Sequence, residues 1–91
     1  MIKTFKSRET ERIFSRQRSD RIPEEAQRTA LRHLRTLDRA VAAQEDWQPI
    51  PNGADGHASR YSIAIDDLWR ICFEWREGQV YDVEILDGHC R

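Results

Sequence analysis

The chain has 91 residues, 38% hydrophobic and 34% charged, with a formal net charge of −1. A chain of this length makes one domain, residues 1–91, which buries roughly 60–65% of the surface its unfolded form exposes; that leaves room for a surface groove but not for an enclosed large cofactor. No apolar run approaches the ~18 residues of a membrane span, Met1-Ile2-Lys3-Thr4-Phe5-Lys6 lacks the apolar stretch of a signal peptide, and Cys72 and Cys90 make neither a disulfide framework nor a paired zinc motif, so a reducing cytoplasm is the expected compartment.

Ile2 to Phe5 is short and β-leaning, and is expected to join a sheet. Ser7 suits the cap of a short helix running through Arg16, with Glu9 and Glu11 in the favourable first turn and Ile13 and Phe14 as apolar contacts. After a polar loop, Asp20 to Pro23 opens a main helix predicted to reach about Ala43, with Glu24 and Glu25 complementing its dipole. Ala26, Ala30, Leu34, Leu37 and Val41 recur at helical spacing and define its core-facing stripe.

Arg28, Arg32, Arg35 and Arg39 repeat two residues, or about 200°, away from that stripe and form a basic ridge on its far side. Residues 1–43 hold 11 Lys/Arg against 6 Asp/Glu, a balance of +5, whereas residues 44–91 hold 4 against 10, a balance of −6. Thirteen of the 15 basic residues are arginine, whose fork binds phosphate at two points. The ridge is either a solvated helix face or a surface for a phosphate backbone or an acidic protein.

Gln44 to Ser59 is dense in turn residues and reads as a loop, with Trp47 as a lid on the core rather than a stacking platform. A strand follows from Ser59 to Ile65, Tyr61, Ile63 and Ile65 facing inward and Arg60, Ser62 and Ala64 outward. Asp66-Asp67 turns it into a hairpin. Trp69, Ile71, Phe73 and Trp75 form the inward face of the first arm, Glu77-Gly78 makes the turn, and Tyr81, Val83 and Ile85 repeat the inward face on the return. Short connections force antiparallel neighbours, so the second half is a three-stranded meander with the N-terminal strand available as a fourth. The expected fold class is α+β, two N-terminal helices on one face of a small antiparallel sheet.

Strand alternation puts Arg70 on the other face, with Arg60 nearby, Asp87 and His89 at the strand end and His57 in the loop leading in. The three histidines show no metal-ligand spacing, so neither metal nor cofactor is expected. There is no nucleophile-elbow pattern, and Cys72, in mid-strand, reads as a small packing residue. The residues do suit metal-free RNA cleavage, in which a base takes the 2′-OH proton, cations hold the crowded phosphate and an acid protonates the departing 5′-oxygen. Arg70 could instead be structural, paired with Glu84 or Asp82 across the hairpin.

The chain resembles the HigB-like toxins of the RelE superfamily, also called plasmid-maintenance killer proteins. The likeness covers nearly its whole length. It rests on Met1-Ile2-Lys3-Thr4-Phe5, on Leu34 with Leu37-Asp38-Arg39-Ala40, on Tyr61-Ser62-Ile63, on Leu68-Trp69-Arg70-Ile71-Cys72-Phe73-Glu74-Trp75, and on Asp82-Val83-Glu84-Ile85-Leu86-Asp87-Gly88-His89. The resemblance implies a RelE-like fold and a ribosome-dependent mRNA endoribonuclease that inhibits translation until a helix-turn-helix antitoxin blocks it. Its partners would be that antitoxin, the ribosome and mRNA. Arg70, Asp87 and His89 match the motif position by position; Arg60, His57 and the ridge arginines are structural inferences. The family commonly ends Asp-Tyr-His where this chain has Asp87-Gly88-His89, and the family's loop lysine is absent from residues 50–59. A non-enzymatic module of the same fold, binding antitoxin or ribosome without cutting RNA, is the alternative.

Overall fold

Ser7 starts the first helix. Its backbone is extended and its hydroxyl accepts from the Thr10 N–H at 3.2 Å, which satisfies one of the amides a helix start leaves open. Helix α1, Arg8–Phe14, is shorter than expected because the chain reverses at Arg16, which takes a left-handed φ of 65°. There Arg16 N–H bonds to Ile13 C=O at 3.0 Å and Gln17 N–H to Arg12 C=O at 2.7 Å, the pair of bonds that closes a Schellman end. Helix α2, Glu24–Arg39, begins directly after Pro23 and buries Ala26, Ala30, Leu34 and Leu37 as the periodicity predicts.

The end of α2 differs from the prediction. Ala40 leaves the helix in an extended conformation and is itself buried, so it, and not Val41, completes the stripe; Val41 is 89% exposed. The core needs a small residue there, and once the backbone straightens the next side chain turns to solvent.

The computed structural model describes residues 1–50 and 60–88, and these form a small α+β fold of two helices and a four-stranded antiparallel sheet. The strands are β1, Gln48–Ile50; β2, Arg60–Ala64; β3, Trp69–Arg76; and β4, Gln79–Asp87, in spatial order β1-β2-β3-β4. The fourth strand is therefore β1, inside the stretch read as loop. The N-terminal segment instead runs parallel along β4 through isolated bridges, Ile2 with Val80 and Phe5 with Val83. Its amides and carbonyls occupy the outer edge of β4, and Ile2 N–H is tied to the Asp38 carboxylate of α2 at 2.9 Å. An edge that would otherwise offer unpaired backbone groups is covered by the chain's own start.

The β3–β4 turn is as expected. Glu77 and Gly78 take φ of 50° and 76°, both positive, as a two-residue hairpin turn matching strand twist demands. The β2–β3 connection is longer than Asp66-Asp67, and the Asp66 carboxylate holds it by accepting from the N–H groups of Leu68 and Trp69, each at 2.8 Å.

One register shift changes which side chains face the core. Cys72 pairs with Glu84 and Glu74 with Tyr81, so Phe73 alone faces both Asp82 and Val83: a β-bulge, with Asp82 at φ 54°. Val83 and Ile85 point inward as predicted, but before the bulge the alternation is reversed. Val80 is fully buried and Tyr81 lies on the opposite face, contrary to the strict period-2 reading.

The core lies between the helices and one sheet face. Leu34, Leu37, Ile71 and Phe73 are among its fully buried side chains, each worth roughly 1.5–3 kcal/mol relative to exposure. Trp47 closes one end as a lid, its ring centroid 4.8 Å from Phe73, 5.1 Å from Trp75 and 5.6 Å from Tyr61.

Candidate nucleic-acid interface

The sheet face away from the helices is built in rows by the strand register. Gln48, Ser62, Cys72 and Glu84 form one row across all four strands. On one side of it lie Ala64, Arg70 and Leu86; on the other, Ile50, Arg60, Glu74 and Tyr81. This face is not open throughout: Ser62 is 4% exposed and Cys72 0%. Cys72 is fully buried, as its reading as a small packing residue requires, but it is disulfide-bonded, which overturns the expectation that the cysteines make no disulfide and with it the ground for a reducing compartment. Cys90, the one other cysteine of the sequence, lies outside the described residues.

Arg70 is set by its neighbours. Its Nη2 donates to Ser62 Oγ at 2.7 Å and to Gln48 Oε1 at 2.5 Å, reaching diagonally across β2 to β1. Both acceptors are neutral, and among the described residues no carboxylate lies in ion-pair range of Arg70; Glu84 and Asp82, the candidates for a structural pair, do not reach it. A guanidinium has five N–H donors; Nη2 spends its two on Ser62 and Gln48, and Nε and Nη1 keep three N–H groups that can each donate singly to a phosphate oxygen.

Of the other expected residues, Arg60 stands opposite Glu74 on the same face. Asp87 does not join Arg70: its register partner is Trp69, which puts it one residue out of phase, beside Ser7, Glu9 and Arg21 at the α1 end of the sheet. His57 and His89 lie outside the described residues.

Neither a family model nor a curated protein matches this chain. Its chemistry is read from the geometry.

Arg28, Arg32, Arg35 and Arg39 are all exposed and, with Leu31 and Val41, line a groove of about 560 Å³ along the outer side of α2. Arg28 is ion-paired with Glu24 at 3.4 Å; among the described residues, the other three have no ion-pair partner. The two cationic regions therefore lie on opposite sides of the molecule, Arg70 on the sheet and the ridge on the helix.

Sequence reasoning missed the role of Gln48, which lay in a stretch read as loop, and the placement of Tyr81. For Tyr81 a signal was present: aspartate tolerates a left-handed backbone better than most residues, and Asp82 breaks the run of β-formers where the bulge occurs.

Proposed function

We propose that this chain has a RelE-like fold and is the toxin of a type II toxin-antitoxin system: a metal-independent, ribosome-dependent mRNA endoribonuclease, held inactive by a helix-turn-helix antitoxin. The observation that carries the reading is Arg70, a cation fixed by two neutral acceptors, Ser62 and Gln48, on the sheet face away from the helices. An arginine serving only as half of an ion pair would have a carboxylate. One kept for a ligand is held by groups that leave its charge uncompensated.

In the proposed reaction the mRNA 2′-oxygen attacks the adjacent phosphorus and gives its proton to a base, while the P–O5′ bond breaks and the departing oxygen is protonated. The products are a 2′,3′-cyclic phosphate and a 5′-hydroxyl. Arg70 binds the non-bridging oxygens, on which charge builds during attack, and His89 carries the proton. Asp87, out of phase with Arg70, acts on the orientation of the chain end rather than on the phosphate. The ridge arginines bind ribosomal RNA through its backbone. That same register of Asp87 favours the second reading, a module that binds antitoxin or ribosome without cutting.

Arg70→Ala separates the two. With ribosomes programmed with mRNA, primer extension should show cleavage reduced on the order of 10²-fold or more, by analogy with removal of one donor from a preorganised electrostatic site. Thermal stability should fall only modestly, by about 1–2 kcal/mol, because the half-buried Arg70 side chain gives up its bond to the buried Ser62 hydroxyl while its bond to exposed Gln48 is exchanged for water. A variant cutting at the parental rate would remove Arg70 from the centre of the site, and a parental protein that binds ribosomes but cuts nothing would establish the second reading.

A further inference from the structure

The β-bulge at Asp82 brings a second feature onto the Arg70 face. Tyr81, turned outward, lies under the guanidinium of Arg76, whose central carbon is 4.2 Å from the ring centroid. Arg76 Nε is in turn 3.2 Å from Glu74 Oε1, and Glu74 is the register partner of Tyr81. Two side chains thus hold the Arg76 guanidinium in place: its central carbon lies over the Tyr81 ring and the Glu74 carboxylate takes its Nε edge. The Arg76 side chain is 53% exposed.

A surface ion pair alone contributes little to stability, and a cation over an exposed ring adds about 0.5–1 kcal/mol. What the arrangement does provide is a flat platform with a delocalised cation on top, the kind of surface on which unstacked bases rest. Arg76 lies six β3 residues from Arg70 on the same face, about 20 Å at strand rise, and Glu74 four. A single strand whose phosphate is held by Arg70 covers that distance in a few nucleotides.

We propose that Arg76, backed by Tyr81 and positioned by Glu74, is a stacking site for a base of single-stranded RNA flanking the phosphate at Arg70. The inference rests on the RNA-cutting reading of this face and adds to it a subsite at the hairpin tip. Stacking on a plane is tolerant of base identity, so the site holds the strand without selecting a sequence.

The test is fluorescence anisotropy of a fluorescein-labelled octauridylate at low salt, with parent, Arg76→Ala, Arg76→Lys, Tyr81→Ala and Tyr81→Phe, each checked for folding by thermal melting. Arg76→Ala should weaken binding about 5- to 150-fold, the worth of one stacked base. Arg76→Lys should lose most of the same affinity, because the charge survives and the plane does not. Tyr81→Phe should bind like the parent and Tyr81→Ala should not. Parental affinity in Arg76→Lys, or in folded Tyr81→Ala, would overturn the stacking site, as would a parent that does not bind the oligonucleotide. Ribosome-dependent cleavage, measured on the same preparations, reports on the broader reading: cutting by the parent without oligonucleotide binding would leave that reading standing and this inference refuted.

Discussion

Thr10→Val tests how the helices are joined to the sheet. Thr10 is fully buried, and its Oγ1 accepts from Ile85 N–H of β4 at 2.9 Å while sharing a 2.7 Å hydrogen bond with Ser7 Oγ, the α1 cap. The outer edge of β4 is satisfied by the N-terminal segment at Val80 and Val83; at Ile85 the hydroxyl of Thr10 takes over. Valine has nearly the same shape, so the substitution leaves the packing and removes the hydroxyl, and with it the acceptor for Ile85 N–H and the bond to Ser7 Oγ. The buried Ile85 N–H then loses its partner, at about 1–3 kcal/mol. At the ~4–8 °C per kcal/mol of a domain this size, the midpoint should fall by roughly 5–20 °C in thermal unfolding followed by circular dichroism. Thr10→Ser is the control: it keeps the acceptor, loses one methyl and should cost about 1 kcal/mol. A Val variant as stable as the parent, or more stable than Thr10→Ser, would show that Ile85 N–H finds another partner and that this bond does not join α1 to the sheet edge.

On the ridge, replacing Arg32 and Arg39 with Glu should weaken ribosome co-sedimentation and flatten its dependence on salt without loss of fold; unchanged sedimentation across a salt series would return the ridge to a solvated face. Gly88 takes a φ of 84° and donates its N–H to Leu68 C=O at 2.9 Å, although a Cβ there would meet nothing within 4 Å. Gly88→Ala should therefore cost roughly 1–2 kcal/mol in denaturant unfolding through backbone strain alone, and Gly88→Tyr would carry the same cost; an unchanged midpoint would mean the strand end relaxes. Non-reducing peptide mapping should recover Cys72 in a cross-linked peptide, and reduction should lower the melting temperature, since losing a native disulfide typically costs about 2–5 kcal/mol in a small domain. A free Cys72 thiol in the native protein would contradict that expectation.

Much of the architecture was legible in the chain itself because it depends on local periodicity. The helix stripe from Ala26 to Leu37, the Ser7 cap, the Glu77-Gly78 turn and the inward set Trp69, Ile71, Phe73 and Trp75 follow from spacing and from the φ preferences of single residues. So does the placement of Arg70 away from the core. Tertiary structure decided whatever depends on counting residues across strands or on competition for the same space. Asp82 adds one residue to β4, and because side chains alternate with period 2, that one residue puts Tyr81 outside and Val80 inside. Ala40 displaces Val41 from the core because the helix stops where the packing needs it to. Asp87 and Arg70 stand close to the same strand ends in the sequence pattern, yet only the β3–β4 register, Trp69 against Asp87 and Arg70 against Leu86, shows that they face opposite sides. The acceptors that hold Arg70 come from two other strands, 8 and 22 positions away. No local pattern could have paired them, since the contact exists only once the sheet is assembled.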